Sequence, residues 1–143
     1  MALAKKPVTG MKDITPAEMQ IREYVMNQIK ETYKSFGFSQ IETPCVEHIE
    51  NLTSKQGGDN EKLIFKILKR GEKLNLETAE QENDLTDSGL RYDLTLPLSR
   101  YYANNAANLP SPFKALQMGS VWRARPPPEG TFSASSFSAI LIF

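Results

Sequence analysis

The residues with the clearest potential for chemistry are Arg91, Asp93 and Thr95, which occupy alternate positions in the chain. On an extended strand, alternate residues share one face. The Asp93 carboxylate can accept charge-assisted hydrogen bonds from a cationic amine, and the Thr95 hydroxyl adds an oriented partner. Further along, Arg123 and Arg125 carry guanidinium groups that can hold a phosphate or a carboxylate. Together these residues predict a cleft that receives an amine and an anion, as an enzyme joining an amino acid to a nucleotide requires.

The same residues also have a structural interpretation. An Asp-x-Thr sequence at a strand end often caps the following helix, and Thr95 could cap a helix that begins at Pro97. An arginine at a strand end is usually a surface ion-pair partner of little energetic value. From the pattern alone, both interpretations stay open.

Predicted helices and strands must bring these side chains together. A capping box at Thr15 to Glu18, with proline at the first helical position, predicts a helix from Pro16 to Phe36 that ends at Gly37. Helices are also predicted over 46–52 and 96–107. Strands are predicted over 38–43, 63–68, 74–76, 90–95 and 113–124, with a hairpin turn at 69–72 and an exposed acidic loop at 77–89. This order predicts an α+β domain with a mainly antiparallel sheet flanked by helices.

Length and composition are those of one globular domain, with 143 residues, 40% hydrophobic and 24% charged. Because 17 basic residues balance 17 acidic ones, net charge favours neither nucleic acid nor a membrane as partner. Cys45 is the only cysteine and fits a reducing compartment, and His48 is the only histidine, so no histidine-based metal site is predicted. Residues 1–13 lack the pattern of a secretory signal, and no apolar run approaches the roughly 20 residues of a membrane span. We therefore expect a cytoplasmic protein without a membrane partner.

Four stretches resemble, in the right order over residues 8–124, the histidyl-tRNA synthetase family of class II aminoacyl-tRNA synthetases. They are GMKDITPAEMQIREYV, GFSQIETPCVEH, LRYDLTLPLSRYYA and FKALQMGSVWRA. The resemblance implies that residues 1–124 form the N-terminal part of a class II catalytic core, up to the first strand of motif 2. It also implies that the helix and strand ending at Pro44 are motif 1, which builds a homodimer interface.

The resemblance further implies roles for single residues. Asp93, Leu94 and Thr95 resemble the segment that binds the amino group of histidine. Arg123 resembles the catalytic motif 2 arginine, which contacts the ATP α-phosphate and the histidine carboxylate. The implied activity is attachment of histidine to tRNA-His through an adenylate, with ATP as substrate and Mg²⁺ as cofactor. The alternative is a non-catalytic relative, the histidine-sensing regulatory subunit of ATP phosphoribosyltransferase, and a non-functional remnant is a third possibility.

Residues 125–143 depart from the family, whose motif 2 continues with Asp-Arg-Pro or Glu-Arg-Pro, then Arg-Phe-Arg-Glu-Phe and Gln-Cys-Asp. Single-base shifts before Arg125 and near Ser133 let codons for this tail spell Asp-Arg-Pro-Gln-Arg-Gly-Arg-Phe and then Arg-Glu-Phe-Phe-Gln-Cys-Asp-Ile-Asp-Ile. We therefore interpret residues 125–143 as an aberrant tail, out of frame through sequencing error, gene decay or engineering. The family's glutamine and acidic residue that bind the histidine side chain fall in this tail. Since later catalytic motifs and an anticodon-binding domain are also not found in residues 1–143, we expect a fragment that does not activate histidine.

Overall fold

The computed structural model describes residues 4–8, 11–53, 61, 64–123 and, for the backbone alone, 136–142. This part of the chain is α+β, as predicted, and 3-10 turns occupy Gly71–Lys73 and Ala106–Asn108. No helix within it is long and apolar enough to cross a membrane. The helices are α1 (Pro16–Ser35), α2 (Ile49–Thr53), α3 (Glu82–Leu85) and α4 (Thr95–Asn105), and the strands are β1 (Ser39–Ile41), β2 (Val46–His48), β3 (Phe65–Leu68), β4 (Thr86–Leu90), β5 (Ala115–Trp122) and β6 (Ser136–Ile142).

The first helix begins at the predicted capping box. The Thr15 hydroxyl accepts from the Glu18 N–H at 3.4 Å, and the Glu18 carboxylate accepts from the Thr15 N–H at 3.0 Å. The Lys12 ammonium also donates to Glu18, at 2.7 Å. Gly37, with φ of 79°, supplies the left-handed turn after the helix. The prediction for α1 is therefore confirmed, with an end one residue earlier than expected.

The described strands form two three-stranded sheets. In one, β5 lies between β1, which is parallel to it, and β6, which is antiparallel. In the other, β4 lies between β2 and β3, and both pairs are antiparallel. The mainly antiparallel character is as predicted, but it is divided between two sheets instead of one. The aperiodic tail was not predicted to contain a strand, yet the backbone of 136–142 pairs with β5 along its length.

The predicted exposed loop over 77–89 is wrong, because this segment contains α3 and β4. The Asp84 carboxylate accepts from the N–H groups of Glu80 and Gln81 at 3.1 and 3.0 Å and so starts α3. The Lys69 ammonium donates to the Asp84 carbonyl at 2.8 Å. Thr86 then begins a strand that is central to its sheet, although its residues have few apolar side chains.

Three further elements differ from the predictions. The strand β3 pairs with the distant β4, with Phe65 opposite Leu90, and residues 74–76 do not form the hairpin partner that was predicted. The predicted helix over 46–52 is divided into β2 and α2, because the first part pairs with β4 through Glu47 and Gly89. The strand β1 is shorter than the predicted 38–43. The first two differences arise from pairings between segments far apart in sequence, which local periodicity does not report.

Helix α2, the residue before β3 and the β4–α4 region meet in a small apolar core. Ile49, Leu52 and Ile64 are buried together, and Tyr92 and Leu96 pack against them. Because Tyr92 and Leu96 flank Asp93, this core fixes the position of the segment that carries the predicted site.

The capping box predicts a pH dependence for α1. Hydrogen bonds from Lys12 and then from Thr15 lower the pKa of Glu18 from 4.5 to about 2. The contribution of Glu18 to stability is therefore complete above pH 4.5 and is lost as the pH falls toward 2. We expect the helical far-ultraviolet signal to fall over this window, and Glu18→Gln to flatten the profile. Glu23→Gln, which changes an exposed glutamate on the same helix, serves as the control. Identical pH profiles for the two variants would contradict the prediction.

Candidate active site

Asp93 lies in the link between β4 and α4 and not on a strand. Because β4 ends at Leu90 and α4 begins at Thr95, the predicted strand over 90–95 is wrong. Arg91, Asp93 and Thr95 therefore do not share a strand face. The physical reason is a helix start, since Oδ1 of Asp93 accepts from the Leu96 N–H at 3.3 Å.

The Asp93-Leu94-Thr95 segment combines a buried anchor with two accessible polar side chains. Leu94 is 3% exposed, Asp93 is half-buried and Thr95 is exposed. The cap uses one carboxylate oxygen of Asp93, and the other makes no hydrogen bond with the residues that the structure describes. Burial, and next the charge of Asp93, raises the pKa of the Tyr92 phenol. Capping by Asp93 and binding of a ligand amine are thus compatible functions of one carboxylate.

Arg123 follows β5 and reaches the same link. Its Nε donates to the carbonyl oxygen of Tyr92, the residue before Asp93, at 3.2 Å. The Trp122 N–H donates to the Arg91 carbonyl at 2.9 Å. The guanidinium of Arg123 and the carboxylate of Asp93 therefore belong to adjacent segments at one end of β5.

The predicted site residues that the structure describes thus lie on two neighbouring segments. Asp93 and Leu94 directly precede α4 and Thr95 is its first residue, while Arg123, after β5, contacts the backbone of Tyr92 beside them. Arg125, the second predicted anion-binding residue, lies outside the described residues.

Arg91, grouped with Asp93 in the sequence pattern, is buried at 3% exposure. Its Nε donates to the Ser120 carbonyl at 2.9 Å. Its Nη1 donates to the carbonyl and hydroxyl oxygens of Thr43 at 2.8 and 3.0 Å and to the Pro44 carbonyl at 3.3 Å. Arg91 thus lies on the buried side of the β4–α4 link and is not positioned to hold a ligand.

Gln117 completes this buried polar cluster. It is fully buried, and its Nε2 donates to the Thr43 hydroxyl, which also accepts from Arg91. Its Oε1 is the only buried side-chain oxygen without a hydrogen-bond partner among the described residues. The single hydroxyl of Thr43 therefore joins the chain after β1 to both β5 and the β4–α4 link.

A second ion pair holds α4 in place. Glu47 of β2, with a side chain 2% exposed, accepts two hydrogen bonds at 2.9 Å from Nε of Arg100 and one at 2.7 Å from its Nη2. This bidentate geometry fixes α4, and with it Asp93, against β2. Sequence reasoning missed Glu47, Arg100, Thr43 and Gln117. For Gln117 and Thr43 the available signal was a polar residue in a predicted strand, but only the folded structure shows that they are buried; for Glu47 and Arg100 the sequence contains no comparable signal.

Comparison with known proteins identifies the family. The family model of histidyl-tRNA synthetase matches residues 10–136. A probable histidine–tRNA ligase of Tropheryma whipplei (strain Twist) is 44% identical over 124 residues, covering 87% of this chain and 29% of that protein. The histidine–tRNA ligase of Leifsonia xyli is 43% identical over 136 residues, covering 92% of this chain and 32% of that protein. The chain belongs to the histidyl-tRNA synthetase family and spans about 30% of the length of these relatives.

Solved structures agree in fold. The histidyl-tRNA synthetase of Nostoc sp. PCC 7120 superimposes with a TM-score of 0.74 at 27% identity, over 97% of this chain and 28% of that one. A Bacillus halodurans protein described as an ATP phosphoribosyltransferase regulatory subunit/histidyl-tRNA synthetase gives 0.75 at 20% identity, over 99% of this chain and 32% of that one. The second match shows the fold alone.

The shared hydroxyl of Thr43 yields a stability prediction. Thr43→Val keeps the side-chain shape but leaves Nε2 of Gln117 without its acceptor in a buried site and removes one of the three acceptors of Arg91 Nη1, so we expect a loss of about 2 kcal/mol in the free energy of unfolding. Thr86→Val is the matched control, because Thr86 is equally buried but its hydroxyl donates to a carbonyl at the exposed α3 segment. Urea unfolding measures both. Equal losses for the two variants would contradict a special role for the Thr43 hydroxyl.

Proposed function

We propose that the chain is the N-terminal part of the catalytic core of an enzyme that attaches histidine to tRNA-His in the cytoplasm. In the first step, a carboxylate oxygen of histidine attacks the α-phosphorus of ATP and pyrophosphate leaves. In the second, a hydroxyl of the tRNA displaces AMP from the adenylate. Membership of the histidyl-tRNA synthetase family supports the reaction. The observation that carries the proposal is the 3.2 Å contact that brings Arg123 beside Asp93.

Each proposed role follows from the charge of the side chain. The Asp93 carboxylate and the Thr95 hydroxyl receive the ammonium group of histidine, while buried Leu94 holds them in position. The Arg123 guanidinium contacts both the histidine carboxylate and the α-phosphate. It thereby reduces the repulsion between two anions that must approach each other, and it stabilises charge that develops on the phosphate. No protein nucleophile is required.

Magnesium is the cofactor that the family implies. The described residues contain no group of three or more His, Cys, Asp or Glu side chains that could hold a metal ion. Magnesium often binds through substrate phosphates and only one or two carboxylates. We therefore assign Mg²⁺ to the phosphates of ATP, where it would neutralise charge, and we assign it no ligand in this part of the chain.

The tail determines whether the chain can distinguish histidine from other amino acids. We propose that the core ends at residue 124 and that 125–143 is an out-of-frame tail. The family's glutamine and acidic residue that bind the histidine side chain have no counterpart in residues 130–143, which contain no charged or amide side chain, whereas recognition of imidazole requires polar groups. The proposal is therefore that this chain has the amine and anion sites without histidine selectivity or turnover.

The alternative is a histidine-sensing regulatory subunit of ATP phosphoribosyltransferase. It has weaker support, because the structure whose description includes that function is 20% identical, whereas the relatives described as histidine–tRNA ligases are 43% and 44% identical.

Ligand binding tests the proposed roles. The test chain replaces residues 125–142 with the shifted-frame residues given above, and histidine, histidinol and ATP are titrated by calorimetry. Arg123→Met should weaken histidine and ATP roughly tenfold or more, but not histidinol, which has no carboxylate. Asp93→Asn should weaken histidine and histidinol alike while preserving the helix cap, since asparagine caps as well as aspartate.

The control for both variants is Arg70→Met, at an exposed arginine away from the site. The unchanged tail should give no detectable histidine preference and no histidine-dependent exchange of pyrophosphate into ATP. If Arg123→Met and Asp93→Asn bind all three ligands as Arg70→Met does, the assigned roles are wrong.

The homodimer is part of the same proposal. No residue of α1 is buried, and Ile21, Val25 and Phe36 are 68%, 48% and 65% exposed. An isolated helix of this length depends on packing of its apolar face. A second copy of the chain is the proposed cover for this face.

Sedimentation equilibrium tests the interface. We expect a dimer whose dissociation constant rises at least roughly tenfold in Val25→Glu, because the charge would lose its hydration in the interface. Asn27→Glu, at an exposed polar position of the same helix, should leave the dimer unchanged. A parent chain that remains monomeric at the highest soluble concentration would exclude the interface.

A further inference from the structure

The guanidinium of Arg91 joins three segments that are distant in sequence. Through its side chain it contacts Thr43 and Pro44 after β1 and Ser120 in β5. Its backbone makes two further connections, because its N–H donates to the Cys45 carbonyl and its carbonyl accepts from Trp122, both at 2.9 Å. Side chain and backbone of one residue thus bind the same two neighbours.

The acceptors around Arg91 are all neutral. They are three carbonyl oxygens and one hydroxyl, and no carboxylate pairs with this buried guanidinium in the part of the chain that the structure describes. A lysine could not replace it, because an ammonium is a compact point charge on a flexible stem, whereas the planar fork of arginine donates in several fixed directions. The requirement at this position is therefore for geometry in addition to charge.

Gly119 shows how closely the guanidinium lies on β5. A Cβ atom at Gly119 would overlap Nη2 of Arg91 and would lie only 3.3 Å from its Cζ. Gly119 is thus a point of close approach between β5 and the Arg91 side chain. Any side chain at this position must displace either the arginine or the strand.

The position of Arg91 links this cluster to the proposed site. Two residues after Arg91 comes Asp93, and one residue after its partner Trp122 comes Arg123, which itself donates to Tyr92. We propose that Arg91 is a positioning residue, which sets the separation between the Asp93 carboxylate and the Arg123 guanidinium by holding the β4–α4 link against the end of β5. Its catalytic meaning rests on the proposed function, but its structural effect can be tested without any ligand.

The fluorescence of Trp122 provides a local reporter of this contact, because it is the only tryptophan of the chain and its backbone N–H donates to the Arg91 carbonyl. The variants are Arg91→Lys, which keeps the charge and loses the fork, and Gly119→Ala, which keeps the arginine but displaces it. Gly71→Ala is the control, since Gly71 lies in an exposed turn with φ of 60° and a Cβ atom there would meet nothing within 4 Å, so it strains the backbone without touching the Arg91 cluster. Tryptophan emission and acrylamide quenching are measured on each full 143-residue chain, under conditions where its circular dichroism matches that of the parent.

We expect Arg91→Lys and Gly119→Ala to shift the emission to longer wavelength and to increase quenching, while Gly71→Ala changes neither. Thr43→Val should give a smaller shift and Thr43→Ser should restore the parent value, which keeps the test valid if the larger changes prevent folding. Parent-like emission and quenching in all variants that fold would overturn the proposal, as would a Gly71→Ala shift of the same size.

ATP titration separates this inference from the proposed function. If both are correct, Arg91→Lys weakens ATP binding about tenfold, because small displacements of binding groups are costly. If the parent chain does not bind ATP but Trp122 responds as expected, the positioning role of Arg91 stands and the proposed function fails. If ATP binds and Trp122 does not respond, the function stands and the positioning role fails.

Discussion

A positive charge buried among neutral oxygens is the constraint on which this region depends. Arg91 is removed from water without a carboxylate partner in the described residues, so each of its hydrogen bonds offsets lost hydration. The carbonyl oxygens that accept them belong to the chain after β1 and to β5, which must therefore lie at fixed distances. Arg100 plays a complementary part with a true ion pair, since its contact with Glu47 fixes α4 to β2. Two arginines, one among neutral oxygens and the other paired with a carboxylate, thus orient the β4–α4 link.

The elements that the sequence predicted well are those whose signals are local. The limits of α1 follow from Thr15, Glu18 and Gly37, all within a few positions of the helix ends. The strand β4 was missed because TDSGL has neither alternation nor apolar content, and it becomes a strand only through Phe65 and Glu47 on its two neighbours. Pairing energy between distant segments exceeds the weak preferences of such residues.

The candidate site was predictable in composition and not in geometry. The charges of Asp93 and Arg123 suggested an amine and an anion site, and family resemblance placed them together. The strand that was expected to carry Asp93 is instead a helix start, because its carboxylate meets the Leu96 N–H. The role of Arg91 was missed for a different reason. A sequence shows that an arginine is present, but its burial depends on Gly119, nearly thirty positions away, having no side chain.

The parallel pairing of β1 with β5 also has a consequence for biosynthesis. Ser39 has no strand partner in this sheet until Ala115 has been made, since β1 pairs only with β5 among the described strands. Such long-range closure slows folding. Residues 39–41 must therefore stay unpaired in this sheet of the growing polypeptide until β5 itself emerges from the ribosome.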